Sequence, residues 1–206
     1  MRNNWKRLAS VMLVVLLGGS GLIPLVPGDW ANRASASANS YMISRVAGNG
    51  TSGNSGNGGP ATSAQLRTPY GVAIDKDGNL YIADSDNGRL RKVDAATGII
   101  SEVPGLPPFA ANRGLTIDKD GNLYIADSGH HKVMKLSTGG TVTTVAGNGT
   151  QGSSGDGGLA TSASLDFPVG VAVDGVGNVF IADTNNHVVR RVDAVTGMIS
   201  TIAGNG

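Results

Sequence analysis

Short apolar stretches alternate with Gly-, Asn- and Asp-rich stretches along most of this chain. From residue 41 onward the apolar stretches are five or six residues long and rich in Val, Ile, Thr and aromatic residues, as β-strands are. Most of the polar stretches between them are of hairpin length and carry the residues that favour tight turns. The pattern therefore predicts an all-β fold built from successive antiparallel hairpins.

The strand pattern occurs three times. The stretch DKDGNLYIADS fills residues 75–85 and again, letter for letter, 118–128, and DGVGNVFIADT at 174–184 is a weaker third copy. Alignment on this stretch gives four predicted strands in each repeat, which we name a to d. The a strands are 71–75, 114–118 and 170–174; the b strands 79–84, 122–127 and 178–183; the c strands 89–94, 131–136 and 187–192; and the d strands 99–103, 141–145 and 198–202.

Four-stranded antiparallel units at this spacing are typical of β-propeller blades. The a and b strands are apolar on both faces, as strands covered on both sides are, whereas the c strands alternate basic with apolar residues, which predicts a position nearer solvent. We predict blades at 71–103, 114–145 and 170–202. The spacing of the repeats is unequal because the d–a connections differ: those before blades 1 and 3 are long and Gly-rich, and the one before blade 2 is short. The blades themselves are constant.

The number of d-like segments exceeds the number of blades. YMISRVAGNG at 41–50 repeats the d-strand signature, which predicts a lone outer strand over 41–48. A closed propeller needs equal numbers of each strand, so this strand calls for an a–b–c sheet that the chain lacks. We therefore expect an open arc of three blades plus one extra outer strand, a fragment of a longer protein. Its open blade faces are apolar and favour self-association.

Residues 1–38 have the composition of a secretory signal peptide. Arg2, Lys6 and Arg7 precede a short apolar core, and ASASA at 34–38 offers a cleavage site after Ala38. The alternative is an uncleaved N-terminal anchor, although Gly and Pro interrupt the apolar run. The prediction is a protein that is secreted or exposed at the cell surface, with no membrane span after cleavage.

Charge and cysteine content exclude several classes of function. Residues 39–206 contain twelve Lys and Arg against fourteen Asp and Glu, a net charge of −2, and the basic residues are scattered. No basic field is present to attract nucleic acid. The absence of cysteine excludes thiol nucleophiles, disulfides and a lipid-anchored N-terminal cysteine.

Three recurrent motifs have plain structural interpretations. GNGTSG (48–53) and GNGTQG (147–152) match a dinucleotide-binding glycine pattern, but Gly, Ser and Asp follow where a helix is required, so we predict flexible loops. DKDGN lacks the remaining ligands of a calcium loop and predicts an a–b hairpin turn with glycine in the left-handed conformation. An Asp ends each b strand and is predicted to cap the b–c turn: Asp84, Asp127 and Asp183.

Antiparallel order divides the connections between two faces. The d–a and b–c connections share one face, here called the loop face, and the a–b and c–d turns share the opposite one, the turn face. Tyr70, Arg113 and Val169 immediately precede the a strands and should line the inner rim of the loop face, and these residues differ while their surroundings repeat. Variation on a rigid scaffold is typical of binding sites, although neutral variation in exposed loops is the alternative. The predicted ligand-binding candidates are Tyr70, Arg113, Asn87, Arg89, His130, His131, Asn186 and His187.

The histidines do not by themselves indicate an enzyme. A zinc site needs three converging ligands, whereas His131 and His187 occupy the same position of different blades. No nucleophile–base pair or carboxylate pair stands out. The sequence therefore predicts no catalytic residue, no metal ligand and no cofactor, and the histidines are interpreted as solvated loop residues.

The order of AGNG, a Gly-rich loop with GG-x-AT, and then GVA-D, GN, YIAD and RKVD resembles the NHL repeat of bacterial secreted proteins. The likeness covers residues 41–206, and the long-loop version resembles the teneurin-type NHL domain. The resemblance implies a six-bladed propeller, of which this arc is half. It also implies a non-enzymatic scaffold that binds a protein or glycan. The alternatives are a metal-dependent lyase or hydrolase, since a few relatives are enzymes, and a structural spacer of a large surface protein.

Overall fold

The computed structural model describes residues 43–206. The predicted signal peptide lies outside these residues, as do residues 41 and 42 of the predicted lone strand. Residues 43–46 belong to a separate unit and contain no regular secondary structure, whereas 47–206 form one body. Within residues 43–206 we find no helix with the length and apolarity needed to cross a membrane.

Residues 47–206 contain three antiparallel sheets of four strands, one for each predicted blade. Within each sheet the strands pair in chain order, and the first strand of each sheet lies next to the first strand of the following sheet. Blade 1 contains β1 (Pro69–Ile74), β2 (Leu80–Asp84), β3 (Arg89–Val93) and β4 (Ile100–Glu102); blade 2 contains β5 (Asn112–Ile117), β6 (Leu123–Asp127), β7 (Lys132–Leu136) and β8 (Val142–Ala146); blade 3 contains β9 (Pro168–Val173), β10 (Val179–Asp183), β11 (Val188–Val192) and β12 (Ile199–Ala203).

The predicted all-β architecture is confirmed, with two differences at the edges. The inner strands β1, β5 and β9 begin about two residues earlier than predicted, and each starts with a register shift against its neighbour. The predicted lone strand is not formed over residues 43–48, which pair with no other strand in the described part of the chain. A strand needs a partner ladder, and the described residues of this segment have none.

Apolar side chains fill the space between neighbouring blades. Leu90 of blade 1 and Ile125 of blade 2 belong to one buried cluster, which the short connection closes with Phe109. Val133 of blade 2 and Ile181 of blade 3 belong to a second cluster, into which the long connection inserts Ala160, Ala163 and Leu165. The long and short connections therefore act as packing elements between blades.

A hydroxyl group links each of the first two blades to the next one. The buried Ser128 Oγ donates to the Pro168 carbonyl oxygen at 2.6 Å, and Ser85 Oγ donates in the same way to the Asn112 carbonyl. The equivalent Thr184 of blade 3 is exposed and donates to Ala182 of its own blade at 3.2 Å. Within residues 47–206, no blade packs against this side of blade 3.

The side of blade 3 that no other blade covers keeps the composition of a packed interface. Val189 occupies the position of the buried Val133, and Ile202, at the position of the half-buried Val145, is 50% exposed. Phe180 and His187 lie at the same positions as Tyr124 and His131 of blade 2. We refer to Phe180, Thr184, His187, Val189 and Ile202 as the outward face of blade 3.

The a–b turns have the predicted hairpin geometry. Gly78, Gly121 and Gly177 have φ angles of 83°, 86° and 96°, a left-handed conformation that glycine adopts without a steric penalty. In the third turn, Asp174 Oδ1 accepts the backbone N–H of Asn178 at 2.9 Å, and Oδ2 accepts its side-chain amide at 2.7 Å. The acidic residue thus organises the turn itself, and the predicted a–b hairpin turn with a left-handed glycine is confirmed.

Acid should weaken these turns. The amide of the Asn178 side chain, followed by backbone N–H groups, lowers the pKa of Asp174 below its ordinary value of 3.8. A carboxyl whose pKa is lower in the folded state contributes stability above the unfolded pKa and loses it as the pH falls through the folded one. We expect Asp174→Asn to destabilise the protein at about pH 6 and to have a smaller effect at about pH 3, where this contribution is being lost. Urea unfolding at both pH values measures the difference, and an equal effect at both would contradict it.

Candidate functional site

The structure places the d–a and b–c connections on one face, as predicted. Asn87 Nδ2 in a b–c turn donates to the Gly53 carbonyl at 2.8 Å, and Asn186 Nδ2 donates to the Gly152 carbonyl at 2.7 Å. The Gly-rich connections are loops, as predicted, and hydrogen bonds attach them to the blades. The Ala61 N–H donates to the Gly98 carbonyl at 2.9 Å, which fixes the first of these loops against blade 1.

The Asp that ends each b strand joins three parts of the loop face. Asp84 Oδ1 accepts the Arg67 N–H of the d–a loop at 2.6 Å, while Oδ2 accepts from Asn87 Nδ2 at 2.8 Å and Arg91 Nη1 at 3.3 Å. Asp183 makes the equivalent contacts in blade 3. The predicted backbone cap of the b–c turn is not formed, because the d–a loop passes over the strand end and presents its own N–H group there.

Two fully buried arginines accompany these carboxylates in blades 1 and 3. The basic residues of the c strands were predicted to lie nearer solvent, but Arg91 and Arg190 are both 0% exposed. Arg190 is paired with Asp183 at 3.4 Å and with Asp156 of the d–a loop at 2.6 Å. Arg91 has Asp84 as its only carboxylate partner within the described residues, where its Nε and Nη2 have no hydrogen-bond partner.

The difference between the two arginines suggests a stabilising substitution. Asn57 is aligned with Asp156 in the repeated loop, so Asn57→Asp places a second carboxylate beside Arg91. We expect a gain of about 1 kcal/mol in the free energy of unfolding, since hydrogen bonds to charged groups contribute about 1.5–3 kcal/mol and this carboxylate is partly exposed. Urea unfolding of Asn57→Asp and of the control Asn54→Asp, which adds the same charge elsewhere in the loop, tests this. Equal stability of the two variants would contradict it.

Blade 2 replaces this arrangement with a histidine. Met134 stands at the position of Arg91, and His130 Nδ1 lies 2.8 Å from Asp127 Oδ2, in the place of Asn87. Burial raises the pKa of Asp127, and the hydrogen bonds from His130 and from the Ala110 N–H offset this only in part. The His130 side chain is 52% exposed.

The other two histidines occupy equivalent turns of blades 2 and 3. His131 Nδ1 accepts the Phe167 N–H at 3.1 Å and so links blade 2 to blade 3, while His187 lies on the outward face of blade 3. Both have left-handed backbones, with φ angles of 54° and 55°, where blade 1 has Gly88. Residues 43–206 contain no group of three or more acidic, histidine or cysteine side chains placed to hold a metal ion.

The inner rim brings together two of the predicted site residues and one that the sequence did not indicate. The guanidinium carbon of Arg113 lies 4.1 Å from the ring centroid of Tyr70 and 4.8 Å from that of Phe167. One residue therefore comes from each blade or the loop before it. We refer to Tyr70, Arg113 and Phe167 as the rim cluster. Phe167 was missed because Val169 is the residue aligned with Tyr70 and Arg113.

A recurrent backbone feature places Phe167 in this cluster. Thr68, Ala111 and Phe167 each stand two residues before the aligned rim position, and their φ angles are 49°, 60° and 51°. Such left-handed backbones are uncommon outside glycine. Their recurrence in three blades was the available signal, but no sequence pattern reports the sign of φ for these residues.

Arg89, Asn87 and Asn186 lie outside the rim cluster. Arg89 Nη1 is paired with Glu102 Oε2 at 2.7 Å between strands β3 and β4. The side-chain amides of Asn87 and Asn186 donate hydrogen bonds to the d–a loops and to the buried Asp residues. The structure thus assigns these three predicted residues contacts within the protein.

A groove of about 370 Å³ lies on the opposite, turn face between blades 1 and 2. Its lining includes Asp75, Tyr81 and Lys92, and Lys92 Nζ lies 5.7 Å from the Tyr81 ring centroid. Asp75 is occupied by hydrogen bonds from Asn79 at 2.8 Å. These groups already satisfy one another, so we favour the rim cluster as the candidate site.

Comparison with known families gives matches over each blade. The family model of the teneurin NHL domain matches residues 42–110 and 148–206, which include blades 1 and 3. The NHL repeat model matches residues 113–136 in blade 2.

The chain is also similar to individual proteins. It is 31% identical over 146 residues to Protein SUPPRESSOR OF QUENCHING 1, chloroplastic, of Arabidopsis thaliana, a match that covers 71% of this chain and 10% of that protein. A structural genomics protein of unknown function from Bacteroides thetaiotaomicron superposes with a TM-score of 0.56 and 27% identity, over 66% of this chain and 36% of that one. Virginiamycin B lyase from Staphylococcus aureus superposes with a TM-score of 0.52 and 18% identity, over 67% of this chain and 42% of that one. The chain thus spans less than half of each of these proteins.

Proposed function

Because the chain belongs to the NHL-repeat family, with teneurin-type NHL units in its first and third blades, we propose that it is a non-enzymatic binding scaffold. Its ligand is a protein or a glycan, and the loop face carries the site. The proposal includes export: residues 1–38 act as a signal peptide, and the propeller operates outside the cell or at its surface, as a fragment of a longer protein.

The rim cluster is the observation that supports this proposal. Tyr70 is 53% exposed, and Arg113 is held over its ring on the inner side of the blades. Exposed aromatic residues and arginines are the side chains that contribute most to binding energy at protein interfaces. The rigid blades below present this pair, while the aligned positions of the blades differ.

The second candidate function is a metal-dependent lyase or hydrolase. Virginiamycin B lyase shares the fold, but at 18% identity this likeness bears on the fold alone. A metal analysis of the purified protein separates the two functions. Stoichiometric zinc or calcium that is lost when His130 or Asp127 is replaced would favour the enzyme, and a metal-free protein that binds its ligand fully would favour the scaffold.

Printed arrays of peptides and oligosaccharides test the choice of face. We expect the double variant Tyr70→Ala/Arg113→Gln to lose at least about tenfold in binding, since such residues act as hot spots. The control is Lys76→Ala/Lys119→Ala, which removes two exposed charges from the turn face and should bind like the wild type. Unchanged binding by the rim variant would show that the face is wrong. A wild-type protein that binds neither array would favour the third alternative, a structural spacer.

A further inference from the structure

We infer that Arg113 recognises a carboxylate group of the ligand, an inference that rests on the proposed binding function of the loop face. The carboxylate belongs either to an acidic side chain of a protein or to an acidic sugar, which share this chemistry. The observations that lead to it are the pairing of the arginines, the stacking of the guanidinium and the hydrogen bonds that Arg113 lacks.

Arg113 is the one arginine of residues 47–206 without an acidic partner. Each of the others has a carboxylate oxygen within 4.0 Å of a side-chain nitrogen. These pairs are Arg67 with Asp86, Arg89 with Glu102, Arg91 with Asp84, Arg190 with Asp156 and Asp183, and Arg191 with Asp193. The protein therefore neutralises its arginines as a rule, and the exception is the arginine at the inner rim.

The hydrogen-bonding groups of Arg113 are also unused. Its Nε is buried and has no partner, and no oxygen of residues 43–206 accepts a hydrogen bond from its guanidinium. A polar donor without an acceptor is destabilising, so a ligand that supplies an acceptor to the guanidinium gains affinity from it. Arg91 and Arg190 also have unpaired nitrogens, but both are fully buried beneath the loops, whereas Arg113 is only partly buried at the rim.

The two aromatic rings prepare the guanidinium for a planar anion. The ring centroids of Tyr70 and Phe167 lie 4.1 and 4.8 Å from the guanidinium carbon. The two rings hold the side chain by cation–π contacts, without using its N–H groups. A carboxylate matches the fork of an arginine through two parallel hydrogen bonds. A single cation suits a singly charged group better than a phosphate dianion, and every other arginine of residues 47–206 is already paired with a carboxylate. The exposed ring of Tyr70 offers an apolar surface for the atoms that carry the carboxylate.

The Arg113 side-chain N–H signal of the isotope-labelled protein reports on this site directly. The probes are a short peptide with one glutamate against the same peptide with glutamine, and a glucuronic acid disaccharide against its glucose counterpart. We expect the signal to shift and saturate with an acidic probe and not with its neutral partner. Arg113→Lys should lower the affinity for that acidic probe by about tenfold, because lysine keeps the charge but lacks the forked guanidinium.

The controls separate this inference from the proposed function. Arg67→Gln, which alters an arginine that is already paired, should leave acidic-probe binding unchanged. Saturation by the peptide alone identifies an acidic protein side chain as the source, and saturation by the disaccharide alone identifies an acidic sugar. An Arg113 signal that neither acidic probe shifts would overturn the inference. If Tyr70→Ala abolishes binding to the arrays while Arg113→Gln retains it, the binding function of the loop face stands and the carboxylate assignment fails.

Discussion

Asp84→Ala should lower the free energy of unfolding by about 3–5 kcal/mol, the range measured when one partner of a buried ion pair is removed. Asp84 and Arg91 are both 0% exposed, and Asp84 is the only carboxylate within reach of Arg91 in the described residues. The substitution leaves a buried cation without a counterion. It also removes the acceptor for the Arg67 N–H, which fixes the d–a loop. Urea unfolding followed by circular dichroism measures the loss.

A second substitution should rescue part of this loss. In blade 2, Met134 occupies the position of Arg91, so a methionine fits that site of the blade. We therefore expect Asp84→Ala/Arg91→Met to be more stable than Asp84→Ala alone, because the uncompensated charge is gone. If the double variant is less stable than the single one, the buried charge is not the cause. A single variant as stable as the wild type would refute the structural role of Asp84.

Gly114→Ala should cost about 3 kcal/mol, at the upper end of the usual range for overpacking. A Cβ atom at Gly114 would overlap the Val169 carbonyl oxygen and would lie 3.1 Å from Gly170 Cα, both backbone atoms of blade 3. Neither strand can shift without breaking its own ladder. The inner strands of neighbouring blades thus approach closely enough that only glycine fits, and the variant should lower the melting temperature sharply.

Gly170→Ala is the matched control. Gly170 holds the same position in blade 3, where a Cβ would meet only the Ala182 Cβ, at 3.3 Å, within the described residues. We expect this variant to lose less than about 1 kcal/mol, because a methyl contact of this kind is relieved by a small movement. Equal destabilisation by Gly114→Ala and Gly170→Ala would show that the contact between blades is not the reason for glycine at this position.

The local part of the fold was predictable from the sequence. Strands β1 to β12 and their turns depend on residues that are close in the chain, and the repeated DKDGN and YIAD stretches fix both the hairpins and their order. Asp174 and Gly177 show why this works, because the carboxylate and the left-handed glycine build the turn without help from other blades. The lone strand is not formed over residues 43–48, because a strand there depends on a partner sheet that is distant in sequence.

Contacts between segments that are distant in the sequence were not predictable in the same way. The alternation of basic and apolar residues in the c strands is that of a half-exposed strand, yet Arg91 and Arg190 are fully buried and contact the d–a loops. A single sequence does not reveal which loop covers which strand. The same limit applies at the candidate site, where alignment identified Tyr70 and Arg113 but not Phe167. His131 was predicted as a solvated loop residue, and it accepts a hydrogen bond from the next blade instead.

The outward face of blade 3 bears on the symmetry of any assembly that this chain forms. It repeats the surface that blade 2 buries, and the opposite side of the arc exposes Val72, which is 55% exposed, on β1. A contact between these two different surfaces is heterologous: each copy offers one surface and receives the other. Such contacts close into a ring when the rotation between copies divides a full turn, and otherwise they extend into a filament.

We propose that two copies close into a ring, because residues 47–206 form three blades and the likeness to the NHL repeat implies a ring of six. Light scattering should then give a fixed mass of two chains that does not grow with concentration. Ile202→Lys places a charge on one of the two surfaces and should leave single chains. A wild-type protein that remains a single chain at every concentration would exclude this assembly, and a mass that increases steadily would show that the rotation leaves the ring open.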